Sequence, residues 1–446
     1  MHRRRRRTPR HVGGDLVRGS AFRRTAFRSA VLVWCLGLAL RPGVAQVETP
    51  ALAIFDEVAR HLRVAYGGTA RVHPSLLLPS ARATLVARCA RVAGCPPDLG
   101  LAAIEGVLAD LGDAHTRLIP AEAVEEMAGA AADGDEPRVI GVVVRAPVDG
   151  LGLVVLDAVP GSAAAGAGLA RGDRIMALDG VPLPTDAGDR LAVLEAAVAS
   201  GRLRATVLRA RAPPFEVDLV AGPVPRARPP SLAWVAEGVG WLRIPSLVPA
   251  EEIALAVHRL VAEATSAGAD ALIVDLRDDL GGTYDAVVAV ACAFEASVGR
   301  LFVGPQVGFG LRCDDGLLRV VDPFGRTHVS DTLPVPARWS GELVVLVNAH
   351  TLSCAESLAW ELQRHAGARV VGEATAGLAD TAVRMLPLSN GMRLVLTVAT
   401  VYDLDGSPVP ARVTPDVFVL DDPLRLAEGH DDPLEAALDL LVPRRR

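Results

Sequence analysis

The sequence predicts an α/β protein, and three observations carry that expectation. From Ser231 onward, the short apolar runs Gly240 to Ile244, Leu272 to Leu276 and Leu343 to Val347 have the length and β-branched content of buried strands. Helical patterns such as Glu251 to Ala267 alternate with them, as in an α/β core. The chain has 446 residues, 50% of them hydrophobic and 22% charged, so it is globular rather than disordered and long enough for about three domains.

In chain order, Met1 to Arg28 is arginine-rich, Ala30 to Leu40 is an unbroken apolar run, and Arg41 to Gln46 ends it with small residues. The run is short for a membrane span and has the shape of a secretory signal, so residues 1–45 are expected to be cleaved after Ala45 and the protein to be secreted or periplasmic. Left uncleaved, the same run would anchor the protein to a membrane at its N-terminus. Residues 46–136 read as a mainly helical segment ending in the linker Asp133 to Pro137. Residues 137–223 read as β-rich, with strands at Val139 to Val144 and Gly152 to Leu156. The run Pro223 to Pro230 forms a stiff connector, and residues 231–446 form the α/β core.

Composition removes several functions. A net charge of −6 gives no basic footprint for nucleic acid. No Cys/His spacing suggests zinc, and neither metal nor cofactor is expected. Cys89 and Cys95 are close enough to pair in an oxidising compartment, and Cys292 with Cys313 is a second candidate pair. All 46 residues in the Lys+Arg count are arginine; the chain has no lysine.

The most informative stretch is Asn348 to Glu356. A strand-like run, Leu343 to Val347, leads to Ser353, and a helical pattern from Ser357 to His365 stops at Gly367, a residue suited to a left-handed cap. Ser353 is thereby placed at a helix N-terminus, where unpaired N–H groups favour the negative charge of acyl transfer. A serine hydroxyl needs a base to take its proton, and without lysine the obvious one is histidine.

The Ser-x-x-Glu turn and the following Val370 to Gly377 resemble the S41 peptidases, which include C-terminal processing proteases and tricorn-core-like proteases. The resemblance implies an S41-type α/β catalytic core. In the processing-protease branch a lysine base follows the second glycine-containing turn; here Leu378 stands there, so composition excludes a Ser-Lys pair. The segment Leu108 to Leu118 resembles the histidine segment of the tricorn-like branch and implies that His115 is the base for Ser353. Ala271 to Gly282 resembles the family's Asp-Leu-Arg-x-Asn-x-Gly-Gly segment, with Asp279 where asparagine is usual. It implies an oxyanion hole built from the N–H of Gly281 or Gly282 and that of Cys354. Val159 to Gly180 resembles the signature of a PDZ domain, which implies an inserted peptide-binding domain with Ile140, Gly141 and Val142 as its carboxylate cradle.

Each motif also has a plainer reading. Ser353 and Glu356 fit a helix capping box, Cys354 fits a small buried thiol, and the PDZ-like region fits a spacer. The third catalytic member stays open between Asp113, Glu373 and Asp405, because the stretch Asp405 to Asp416 lacks the glutamate of the tricorn-like branch. The expected function is an exported serine endopeptidase working by a Ser-His mechanism on a protein or peptide held through its C-terminus. The alternative is a catalytically inactive peptide- or ligand-binding protein on the same scaffold.

Overall fold

The computed structural model describes residues 49–125, 139–223, 228–333 and 336–441. The expected signal peptide, the Asp133 to Pro137 linker and part of the Pro223 to Pro230 connector lie outside the described residues. The architecture is the expected mixed α/β one, with helices packed on three sheets.

The helices Pro50–Ala65, Pro74–Cys89 and Pro97–Leu111 each begin with proline, whose fixed φ suits a first helical turn and whose missing N–H would be unpaired there anyway. They bury Phe55, Val58, Leu62, Leu85 and Ile104 against one another and against Leu394 and Leu396 of the long strand Arg393–Asp403. A disulfide joins Cys89 to Cys95. The third helix ends at Gly112, whose φ of 66° is open to glycine at little cost. The chain reverses there, placing His115 in the short loop before the strand Arg117–Ile119.

Residues 142–220 fold into an antiparallel sheet in which Val142–Arg145 is an edge strand, followed by Leu153–Ala158, Arg174–Leu178, Arg202–Leu208 and Phe215–Val220. Its core includes Ile140, Leu153, Ile175, Leu203 and Leu219.

The functional loops hang from a six-stranded sheet. Ala271–Asp275, Glu342–Val347 and Arg369–Gly372 are adjacent and parallel, with Asp275 opposite Leu346 and Val347 opposite Gly372. Their uninterrupted apolar sequence follows from burial on both faces. Parallel strands deliver their C-terminal ends to the same edge, so the segments 276–283, 348–353 and 373–381 emerge side by side. A seven-stranded antiparallel sheet, built on Arg393–Asp403, closes the core from the other side. The disulfide Cys292–Cys313 ties the end of the helix Tyr284–Ala291 to the strand Val307–Asp314 of that sheet.

Candidate active site

Ser353 is the N-cap of the helix Cys354–Arg364, which starts slightly earlier than the sequence pattern suggests. Its backbone has φ 55° and ψ −119°, a region that side chains other than glycine rarely enter. Such strain costs about 1–3 kcal/mol and persists only where neighbours over-determine the position. Here the strand and the helix fix both sides of the turn, and the Ser353 N–H donates to Glu356 Oε2 at 2.7 Å.

Glu356 does more than cap. Its fully buried carboxylate also accepts from the Thr375 hydroxyl at 2.5 Å, the Gly377 N–H at 2.7 Å and the Leu378 N–H at 2.8 Å. It therefore fixes the 373–381 segment against the serine turn. Leu378 contributes a backbone bond here and no ionisable group.

The Gly281–Gly282 turn lies against the same serine. A Cβ added to Gly281, whose φ is 91°, would sit 2.9 Å from the Cys354 N and 3.2 Å from the Ser353 Cβ, so only glycine permits this approach. The Gly281 N–H donates to Asp279 Oδ1 at 2.8 Å. Among the described residues, neither the exposed Gly282 N–H nor the first-turn Cys354 N–H has an acceptor.

Asp279 is fully buried, and burial pushes its carboxyl up to about 7, against the lowering effect of the Gly281 N–H. At neutral pH it is partly protonated. Burial likewise raises the Cys354 thiol to about 12, so it is not a thiolate nucleophile and is a small buried group bonded to the Gly282 carbonyl.

His115 is buried, and its backbone N–H donates to Asp113 Oδ1 at 3.0 Å. Asp113 Oδ2 accepts from the Thr116 hydroxyl, so both carboxylate oxygens are engaged in shaping the loop. The His115 Nδ1 and Thr381 Oγ1 are 2.8 Å apart, which leaves Nε2 as the nitrogen free for chemistry. Burial lowers the imidazole below its ordinary value, against the raising effects of Asp113 and Asp380, so the ring is neutral and basic at pH 7. A cavity of about 170 Å³ joins His115 to Tyr66, Leu378, Asp380 and Thr381.

The structure thus brings Ser353, Cys354, Gly281 and Gly282 into one cluster and ties His115 to it through Thr381, the 373–381 segment and Glu356. No hydrogen bond joins Ser353 to His115 directly. Glu373 accepts from the Asp421 N–H, and exposed Asp405 is bonded to Ser407. Ile140, Gly141 and Val142 lie in the antiparallel domain, at the start of its edge strand. Glu356 was marked in the sequence by its spacing from Ser353; Thr381 and Asp380 carried no local signal, because only the fold sets them beside His115.

This domain also contacts the loops at the C-terminal edge of the six-stranded sheet. Arg145, on the edge strand, reaches Asp278 at 2.5 Å, and Asp278 adjoins Asp279. Asn348 Nδ2 donates to both Asp278 and Asp421. Buried Arg277 pairs with Asp275, Asp421 and Asp431, and Arg171 of the antiparallel domain shares the last two.

Residues 238–419 match the model of peptidase family S41. A carboxyl-terminal-processing protease of Synechocystis sp. is 29% identical over 356 residues, covering 76% of each chain. The chloroplastic carboxyl-terminal-processing peptidase 1 of Arabidopsis thaliana is 28% identical over 284 residues, covering 61% of this chain and 53% of that one. A crystal structure from Bacteroides fragilis, assigned as an S41 protease, superposes with a TM-score of 0.51 at 15% identity over 76% of this chain and 89% of its own, a likeness of fold. A peptidase-type α/β core with a serine at a helix N-terminus is therefore the class. The chain carries a peptidase family S41 domain and is homologous to carboxyl-terminal processing proteases.

Proposed function

We propose that this protein is an exported serine endopeptidase in which Ser353 is the nucleophile and His115 the base. The observation that carries the reading is the convergence of three loops: one presents Ser353, one the Gly281–Gly282 turn, and the third holds His115 through Thr381. In a chain without lysine, a neutral imidazole is the remaining group matched to the task.

The Ser353 hydroxyl would attack the peptide carbonyl as His115 Nε2 takes its proton. The oxyanion would be met by the N–H groups of Gly282 and Cys354, with Gly281 holding the turn through Asp279. His115 would return the proton to the leaving amine, and water would then hydrolyse the acyl-enzyme by the same route. Because no hydrogen bond joins the two side chains in the unliganded protein, the pair would have to tighten as substrate binds.

Residues 137–223 would act as a PDZ-like domain, with Ile140, Gly141 and Val142 cradling the substrate's terminal carboxylate and Val142–Arg145 offering a strand edge to its backbone. Residues 1–45 would direct export. The lack of a hydrogen bond between Ser353 and His115 favours a second reading, a catalytically silent peptide binder on the same scaffold.

Fluorophosphonate labelling and peptide hydrolysis decide between the two, using wild type, Ser353→Ala and His115→Ala. Loss of labelling and hydrolysis in both variants, against a reactive wild type, supports the peptidase. A folded wild type that neither labels nor cleaves leaves the binder.

A further inference from the structure

The Ser353–His115 chemistry leaves unused a cavity of about 370 Å³ whose lining includes Asp285, three residues after Gly282. Its walls come from the helices Ala250–Ser266 and Tyr284–Ala291 and from three strands of the seven-stranded sheet, Val307–Asp314, Leu317–Val321 and Thr327–Thr332. The helix Tyr284–Ala291 begins two residues after Gly282, and Asp285 in its first turn is near enough to Cys354 to help raise that thiol. Tyr284 and Leu311 of the cavity wall pack against one apolar cluster, and the Tyr284 hydroxyl donates to the Ala379 and Thr381 carbonyls.

The lining has two parts. Ala254, Leu255, Val288, Ala289, Leu311 and Leu318 make an apolar wall. Around it stand Glu251, Asp285 and Asp331, none of which has a cationic partner among the described residues, whereas Arg312 and Arg319 are both held by Asp314 at 2.7 and 2.8 Å. Counting Asp314 with those two arginines leaves a net charge of −2, from four carboxylates against two guanidinium groups. Two helix N-termini contribute about half a positive charge each, so the site stays acidic. The Cys292–Cys313 disulfide anchors the helix bearing Val288 to the strand bearing Arg312, which holds two of the walls in place before any ligand arrives.

We propose that this cavity is a specificity subsite that takes an arginine or lysine side chain of the peptide substrate near the scissile bond. The long aliphatic stem would lie on the apolar wall and the cationic end would reach the free carboxylates, a division suited to these two side chains. A glutamate side chain would meet like charge, and a leucine would leave the acidic rim unpaired. The inference rests on the peptidase reading for its role in cleavage, but the preference itself is a property of binding.

The test uses peptides of one sequence carrying arginine, leucine or glutamate at a single scanned position. Their hydrolysis by the wild type is measured, as is their binding to Ser353→Ala protein by fluorescence anisotropy. At one position next to the cleaved bond, arginine is expected to exceed glutamate by about tenfold in kcat/KM and in affinity, from two or three partly exposed charge contacts. That ratio should fall toward one in the Glu251→Gln/Asp285→Asn double variant and at raised ionic strength. Equal binding of the arginine and glutamate peptides overturns the proposal, as does a preference the double variant leaves intact. If the wild type cleaves nothing while Ser353→Ala protein still prefers the arginine peptide in a Glu251- and Asp285-dependent way, the subsite stands and the peptidase reading falls.

Discussion

Ser353, His115 and Asp279 each carry a physical peculiarity with a measurable consequence. The positive φ of Ser353 predicts that Ser353→Gly is more stable than Ser353→Ala by about 1 kcal/mol, since both lack the hydroxyl and only glycine relaxes the turn; paired denaturant titrations measure the difference. Thr381 positions the His115 ring, so Thr381→Val should lower kcat about tenfold or more with little change in KM, while Thr381→Ser restores it. The pH–rate profile adds a readout that a merely structural role would not move: the limb rising through the lowered His115 value should shift in the valine variant. Asp279 predicts an unusual stability profile. Its carboxyl titrates near 7 when folded and near the ordinary aspartate value of about 4 when unfolded, so the folded state binds more protons between those values. Stability from this group is complete below about pH 4, declines as pH rises to about 7, and changes little beyond. Denaturant midpoints at pH 5 and pH 8 should therefore fall further apart in the wild type than in Asp279→Asn.

At the level of elements, Glu356 is the joint between the serine helix and the 373–381 segment. Four donors meet its two oxygens, and Glu356→Ala would leave the buried hydroxyl of Thr375 and three backbone N–H groups without their acceptor. A cost of about 3–5 kcal/mol is expected from unpaired buried polar groups. Because Thr381 lies on the released segment, the His115 geometry should loosen too. Hydrogen exchange at Gly377 and Leu378 should be faster in Glu356→Ala than in the wild type, with the helix Pro97–Leu111 as reference. An equally slow pair of amides would remove Glu356 from this role. The sequence marked the cap through its spacing, but the other half of the joint is a return from the next strand, which spacing within one helix cannot encode.

Across the whole molecule, the buried cluster of Arg277, Asp275, Asp421 and Asp431 binds the core sheet to the C-terminal segment and, through Arg171 and Arg145, to the antiparallel domain. Burial opposes ionisation of Asp275 and Asp431, yet Arg277 outweighs it and holds both carboxyls below the usual range. Groups lowered in the folded state stabilise it above their unfolded values and lose that contribution as pH falls through the folded ones. Acid unfolding below about pH 4 is thus expected to be steep, and Arg277→Met, which strands the buried aspartates, should cost about 3–5 kcal/mol at neutral pH. Circular dichroism melts across pH 2–7 would register both effects, and a flat acid profile would contradict the role given to this cluster.

The amino-acid sequence by itself determined the α/β class, the three chemical segments around Ser353, His115 and the Gly281–Gly282 turn, and the absence of any lysine base, because strand periodicity, helix punctuation and composition are local properties. It could not set Thr381 beside His115, gather four donors on Glu356, engage the Gly281 N–H with Asp279 while Gly282 stays free, or form the acidic cavity near Asp285. Those arrangements depend on which strands lie adjacent and in what register. Long-range packing decides that, and it brings together residues that are hundreds of positions apart in the chain.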